Sequence, residues 1–241
     1  MAVVQRIRCR VDRVIDHGDH VYSVDLASER RLPAFKPGQF LHLALDEYDP
    51  SGFWPESRVF SIASSPASRD SLRIVYSVRG RYTARMEAEL AAGKAAWVKL
   101  PYGEFVVDPT RDAVLLAGGT GVTAFTAFLE GLPANHPRQV CVFYGARRPE
   151  LLLYRAALDA VAARVAMVRA RYFAETLEPA AGADPAISLG RLSAADALTH
   201  ARDAASAVFY LSGPPAMLKA LQLDLAARGI APAAIRVDAW E

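Results

Sequence analysis

The chain has 241 residues, 52% of them hydrophobic and 22% charged, and its 28 Lys and Arg nearly balance 26 Asp and Glu. These totals fit a soluble globular protein with room for one large domain or two of roughly 100 to 130 residues. A net charge of +2 falls far short of the cationic excess that marks nucleic-acid-binding domains, so nucleic acid is excluded as a partner.

From Met1 to Val14 apolar and basic side chains alternate, which predicts a first strand and not the continuous apolar core of a signal peptide. Short runs follow at Val21 to Leu26, Gln39 to Leu45, Arg58 to Ala63, Leu72 to Val78 and Ala96 to Leu100, broken by Gly and Pro. Strands at that spacing predict an antiparallel barrel or sandwich, interrupted by one helix from Tyr82 to Leu90.

After Pro109-Thr110-Arg111 the rhythm becomes buried strand, then helix. Strands are predicted at Ala113 to Ala117, Val140 to Tyr144, Met167 to Phe173, Ala207 to Leu211 and Ile235 to Trp240. Helices are predicted at Val122 to Leu132, Pro149 to Val165, Ser193 to Ala201 and Pro214 to Arg228. This alternation predicts a parallel sheet covered by helices on both faces, because parallel strands need crossover connections. The boundary is expected near Asp108 to Asp112, giving domains 1–108 and 109–241. The uncharged run Ala113 to Leu129 is too short and too interrupted by Gly to span a membrane. A cytoplasmic address follows by default.

Cys9 and Cys141 stand far apart without a Cys-x-x-Cys neighbour, so they supply neither an iron–sulfur cluster nor a disulfide framework. His17, His20, His42, His136 and His200 show no metal-ligand spacing, and neither Gly-x-Ser-x-Gly nor His-Glu-x-x-His occurs. No metal site is expected.

Four segments carry the chemistry. Arg58-Val59-Phe60-Ser61, with Ile62 following, offers in order a cation for a flavin phosphate, a flat side chain for its ring or ribityl chain, and a small hydrogen-bonding group for N5. An ordinary alternating strand with an exposed Arg would read the same way. Gly80-Arg81-Tyr82-Thr83 opens the lone helix of the first half. A helix N-terminus presents unpaired N–H groups and a positive dipole end, so this turn is either a phosphate cap or a plain Gly turn with Thr83 as N-cap. Gly118-Gly119-Thr120-Gly121-Val122-Thr123 lies between a buried strand and a helix, where an α/β sheet binds nucleotide phosphates. It has no P-loop Lys, which argues against an ATPase. Ser212-Gly213-Pro214-Pro215 repeats the strand, turn, helix arrangement and is expected at the same C-terminal sheet edge, although Pro in a first helical turn is common for structural reasons.

Together with Pro37-Gly38-Gln39-Phe40, Leu100-Pro101-Tyr102-Gly103-Glu104-Phe105 and Phe143-Tyr144-Gly145-Ala146-Arg147, these segments resemble the ferredoxin-NADP reductase superfamily over nearly the whole chain. The resemblance implies an antiparallel β-barrel FAD-binding domain over 1–108, followed by an α/β parallel-sheet NAD(P)-binding domain over 109–241. It implies that Arg58, Val59, Phe60, Ser61, Ile62, Tyr76 and Val78 hold the flavin, FAD or else FMN, and that Gly80, Arg81, Tyr82 and Thr83 take its pyrophosphate. Gly118, Gly119, Thr120, Gly121 and Thr123 would take the NAD(P)H pyrophosphate, Arg147 would lie along the adenosine half, and Gly213 and Pro214 would lie on the nicotinamide side. Ser61, Ser212 and Trp240 would stand at the reacting centre.

There are departures from the family pattern. Ser212 stands where many members carry Cys, and Ala124 where Pro often ends the Gly-rich motif. Trp240 reads either as an aromatic against the flavin ring or as a core Trp of the last strand. Where NADPH-using relatives often carry Ser-Arg, this chain reads Tyr172-Phe173-Ala174-Glu175, and Glu175 tilts the choice toward NADH. Arg147, Arg148 and Arg191 leave NADPH open.

The implied activity is hydride transfer from NAD(P)H to the flavin, then release of electrons to a separate one-electron acceptor protein such as ferredoxin, flavodoxin or an oxygenase component. A flavin reductase that releases free reduced flavin, and a non-catalytic electron-transfer subunit of a larger complex, stand as alternatives. Arg79, Arg81 and Arg85 either steer an acidic partner or are scattered surface cations.

Overall fold

The computed structural model describes residues 3–176, 184–201 and 203–238. The chain divides into two compact units, Met1–Val106 and Val107–Glu241.

The first unit is built from β1 (Gln5–Asp16), β2 (Val21–Ser28), β3 (Phe40–Ala44), β4 (Ser57–Ser61), β5 (Ser71–Ser77), α1 (Arg81–Glu89) and β6 (Ala95–Tyr102). Its six strands run in the order β4-β3-β6-β1-β2-β5, with every neighbouring pair antiparallel. The two edge strands meet at one point. The Ala63 N–H donates to the Arg73 carbonyl at 2.9 Å and the Arg73 N–H to Ser64 Oγ at 3.1 Å, so the sheet curls into a nearly closed barrel.

Period-two alternation decides what fills it. In β1, Ile7, Cys9 and Val11 are buried while Arg6, Arg8 and Arg10 face out. The inward row packs with Leu41, Leu43, Leu72, Ile74 and Val98, and α1 adds Tyr82 and Met86 to the same core.

The second unit contains β7 (Ala113–Gly118), α2 (Thr123–Glu130), β8 (Val140–Ala146), α3 (Arg155–Arg164), β9 (Val168–Ala174), β10 (Ile187–Leu189), α4 (Ala194–His200), β11 (Val208–Ser212), α5 (Pro215–Ala227) and β12 (Ile235–Val237). All five strand pairings are parallel, in the order β10-β9-β8-β7-β11-β12. β7 and β11 are buried at every position, which is why they read as continuous apolar runs without alternation. The chain lays β8, β9 and β10 outward from β7 on one side and then returns to β11 on the other. That reversal makes a topological switch point between β7 and β11, the place where open α/β sheets bind ligands.

Three elements differ from expectation. β10, absent from the sequence reading, is a three-residue edge strand too short to show a period. The helix expected from Pro149 to Val165 is a 3-10 turn, Pro149–Leu151, followed by α3, because Leu151 and Leu152 both turn inward and Leu152 takes a non-helical ψ of 60°. The Gly-rich segment forms a 3-10 turn, Gly119–Val122, before α2 begins at Thr123. Trp240 lies outside the described residues. Among the described residues no helix is long and apolar enough to cross a membrane.

Candidate functional site

In the first unit the candidate residues gather where β4, β5 and α1 meet. Arg58 and Phe60 pair with the core residues Leu43 and Leu41 of β3, so strand alternation turns them toward the barrel side and Val59 and Ser61 to the opposite face. Phe60 lies edge-on to Tyr76, ring centroids 6.2 Å apart, and Tyr76 stacks on Tyr22 at 5.4 Å. The Tyr76 hydroxyl is buried and has no hydrogen-bond partner, and burial pushes its phenol pKa up. A buried hydroxyl without a partner is costly unless a ligand or water completes it. This orphan therefore fits a polar ring such as a flavin lying against Phe60.

The Arg58 guanidinium lies over the Tyr82 ring, 4.8 Å from its centroid. It donates from Nη1 to the Ser57 carbonyl at 2.8 Å and from Nη2 to Glu56 Oε1 at 3.0 Å. Arg81 Nη2 lies 3.6 Å from the same oxygen. One anionic oxygen thus stands between two guanidinium groups beside the start of α1, an arrangement of donors that would also suit a phosphate oxygen. Glu56 is a residue that sequence reasoning missed; an acid two positions before Arg58 was the only available sign.

At the start of α1, Gly80 is the N-cap and Thr83 is the third helical residue. Thr83 Oγ1 accepts from the N–H groups of Arg79 and Gly80, at 2.9 and 3.1 Å, so Thr83 reaches back to the turn instead of capping the helix itself. The first-turn N–H groups keep no intrahelical partner and are available to an anion. Two expected side-chain roles change here. Tyr82 is buried with its hydroxyl donating to the Leu43 carbonyl at 2.7 Å, and Ile62 is buried in the core with its N–H on the Gln39 carbonyl at 3.0 Å. Neither presents a side-chain polar group to a ligand: Tyr82 contributes a platform for Arg58, and Ile62 contributes wall. Val78 is half-buried, its N–H on the His20 carbonyl at 2.9 Å.

In the second unit the two loops at the switch point are in backbone contact. A Cβ added to Gly121 would lie 2.5 Å from the Ser212 carbonyl carbon and 2.6 Å from the Gly213 nitrogen. At Gly213, where φ is +153°, it would lie 3.0 Å from the Gly118 nitrogen. At Gly118 it would meet the Met217 sulfur at 2.5 Å and Pro214 Cδ at 3.0 Å. Glycine is needed at Gly121 and Gly213 because the backbone of another segment passes within contact distance, whereas at Gly118 the obstacle is chiefly the flexible end of Met217. Gly119 has a φ of +54° and turns the strand into the helix, and Thr123 Oγ1 closes that turn on the Thr120 carbonyl at 2.8 Å.

Ser212 is buried and donates from Oγ to Asp238 Oδ2 at 2.8 Å; Asp238 is also buried, and its N–H returns to the Leu211 carbonyl at 2.9 Å. Asp238 is a second residue that sequence reasoning missed. Its only sign was an acid directly after the last apolar strand. Further along the same sheet edge, Arg147 is exposed after β8, and its carbonyl accepts from Thr176 N at 3.0 Å and Thr176 Oγ1 at 3.1 Å. Glu175 follows β9 and pairs with Arg191, Oε2 to Nη2 at 2.9 Å.

Residues 115–222 match the family described as "Oxidoreductase NAD-binding domain". The chain is 30% identical over 154 residues to terephthalate 1,2-dioxygenase reductase component 1 of Comamonas, covering 58% of this chain and 44% of that one. It is 28% identical over 166 residues to the NAD(P)H-flavin reductase of Aliivibrio fischeri, covering 65% and 67%. Its fold is similar to that of an Amycolatopsis cytochrome P450 reductase, with a TM-score of 0.84 at 23% identity over 100% of this chain and 71% of the other. The chain spans about half the length of several curated relatives it matches.

Proposed function

Because the chain belongs to the ferredoxin-NADP reductase superfamily, we propose that it is a flavin-dependent NAD(P)H oxidoreductase that passes electrons to a separate acceptor protein. The observation that carries this reading is the backbone contact between the Gly118–Gly121 turn and the Ser212–Gly213 turn at the β7/β11 switch point. Beside this contact Gly119 has nothing within 4 Å of where a Cβ would stand, so the turn offers open backbone at a helix start, suited to a dinucleotide pyrophosphate.

The residues divide the work. Gly118 to Gly121 and the start of α2 bind the dinucleotide phosphates, Arg147 and Glu175 contact the adenosine half, and Ser212, held by Asp238, orients the nicotinamide. In the first unit Arg58, Arg81 and the α1 N-terminus hold the flavin phosphates, FAD being the expected form. Phe60 and Tyr76 form one wall of the ring site, and Ser61, the last residue of β4, lies on the strand's other face. The flavin supplies the conversion of a hydride into single electrons; the protein supplies position and exclusion of water.

Cys9 and Cys141 are each buried in the core of their own unit, and burial raises the pKa of both thiols. They are unsuited to ligating a cluster; the acceptor proposed for the electrons is a ferredoxin, a flavodoxin or an oxygenase component. The similarity to dioxygenase and monooxygenase reductase components supports the last of these. Similarity to an NAD(P)H-flavin reductase, matched over 67% of its length, supports the second reading, in which free flavin is the acceptor. A cytoplasmic address belongs to the same proposal.

An absorption spectrum of the purified protein, followed by anaerobic titration with NADH and NADPH, tests the proposal. Flavin bands that bleach at one nicotinamide per flavin are expected. A colourless protein that takes up no added FAD or FMN would overturn it. Steady-state oxidation of nicotinamide with free FMN, against cytochrome c plus added ferredoxin, separates the two acceptors.

A further inference from the structure

We propose that the Glu56 carboxylate occupies the flavin-phosphate clamp of the first unit and must be displaced for the flavin to bind, so that Glu56 sets how tightly a phosphorylated flavin is held. This inference rests on the flavin reading above. The geometry is specific: Glu56 Oε1 lies 3.0 Å from Arg58 Nη2 and 3.6 Å from Arg81 Nη2, the two cations nearest the α1 N-terminus. A phosphate oxygen bridging the same two Nη2 groups takes the place this oxygen holds.

The contact also has a constructive side. Arg58 is fixed from three directions: by the Ser57 carbonyl, by the Tyr82 ring beneath it and by Glu56. The guanidinium is therefore held in place before any ligand arrives, and only its Glu56 partner needs to be exchanged. All three charged side chains are solvent-accessible, with 49%, 41% and 89% of the side chains of Arg58, Glu56 and Arg81 exposed. An exposed pair of this kind contributes little, so a diphosphate can displace the carboxylate. Once displaced, Glu56 remains as a like charge beside the phosphates, because it stands only two residues before Arg58 in the chain. Arg58 is thereby preorganised, and affinity is held down.

The test is equilibrium dialysis of the protein against FAD, FMN and riboflavin. Glu56→Gln is expected to tighten FAD and FMN by about 2- to 5-fold at low ionic strength, the range that an exposed charge pair can supply. Riboflavin, which has no phosphate, should bind both proteins alike, and the difference for FAD should shrink in high salt. Glu56→Ala, which changes only an exposed side chain, serves as a second variant. Equal FAD affinity in wild type and both variants, or an equal gain for riboflavin, overturns the inference while leaving the flavin site standing. Failure of the wild type to bind any flavin, or an Arg58→Ala protein that binds FAD as the wild type does, overturns the site reading itself and this inference with it.

Discussion

Ser212 and Asp238 join the ends of β11 and β12 by a buried hydrogen bond, hydroxyl to carboxylate at 2.8 Å. The backbone of the same Ser212 also lies against Gly121. Removing the hydroxyl takes a charge-assisted donor from a buried carboxylate, a loss of about 1–3 kcal/mol. Ser212→Ala should therefore lower the melting temperature by roughly 2 to 10 °C for a chain of this size. It should also slow nicotinamide oxidation. A variant that melts with the wild type would show that the bond does not stabilise the fold.

Gly121 and Gly118 predict an order of severity. A methyl group on Gly121 collides with backbone at Ser212 and Gly213, which cannot move without shifting β11, whereas one on Gly118 meets chiefly the flexible end of Met217. Gly121→Ala should cost about 3 kcal/mol or more and Gly118→Ala less, with the KM for the nicotinamide raised in both. Chemical denaturation and steady-state kinetics read the two effects. The reverse order would contradict the packing argument.

Glu175 is proposed to set the choice of nicotinamide through charge. Its carboxylate, paired with Arg191 at 2.9 Å, faces the edge where the adenosine ribose is proposed to lie. Glu175→Ala removes a group that repels a 2′-phosphate and frees Arg191 to bind one. The ratio of kcat/KM for NADPH over NADH should rise by about tenfold, which corresponds to about 1.4 kcal/mol. An unchanged ratio would place the discriminating residue elsewhere.

A pH effect is expected at the other end of α1. Glu87 accepts from the Tyr22 hydroxyl and from His20 Nδ1, each at 2.8 Å, bridging the β1–β2 turn and the helix. The hydrogen bond and charge of Glu87 raise the His20 pKa, with Asp16 and Asp19 adding to it, while His20 holds Glu87 below the usual carboxylate range. A raised histidine contributes stability that is complete below its unfolded pKa and is lost as pH rises through the folded one. The lowered glutamate contributes above its unfolded pKa and loses its contribution as pH falls. The difference in melting temperature between wild type and His20→Ala should therefore be greatest between about pH 5 and pH 6, and should fade as the pH rises through the raised pKa of the folded histidine. A difference that grows as the pH rises toward 8 would refute the pairing.

Much of the architecture was legible because it is periodic or local. The alternation of Ile7, Cys9 and Val11 with Arg6, Arg8 and Arg10 marks a barrel strand, and the unbroken apolar run of β7 marks a strand buried on both faces. β10 was not legible, since three residues carry no period and their strand conformation depends on pairing with β9. The break before α3 was also hidden, because burial of Leu151 and Leu152 overrides a favourable helical pattern.

The same division runs through the candidate site. The longer strands, the glycine turns and the positions of Arg58 and Ser212 are readable from residue type and from spacing within a few positions. What those residues touch is set by the folded chain. Asp238 lies 26 positions beyond Ser212, Gly121 meets the backbone of a strand formed much later in the chain, and Glu56 shares its carboxylate with Arg81 across the β4–β5 connection. Contacts between segments distant in sequence have no local signature, since they are set by which strand ends the fold brings together.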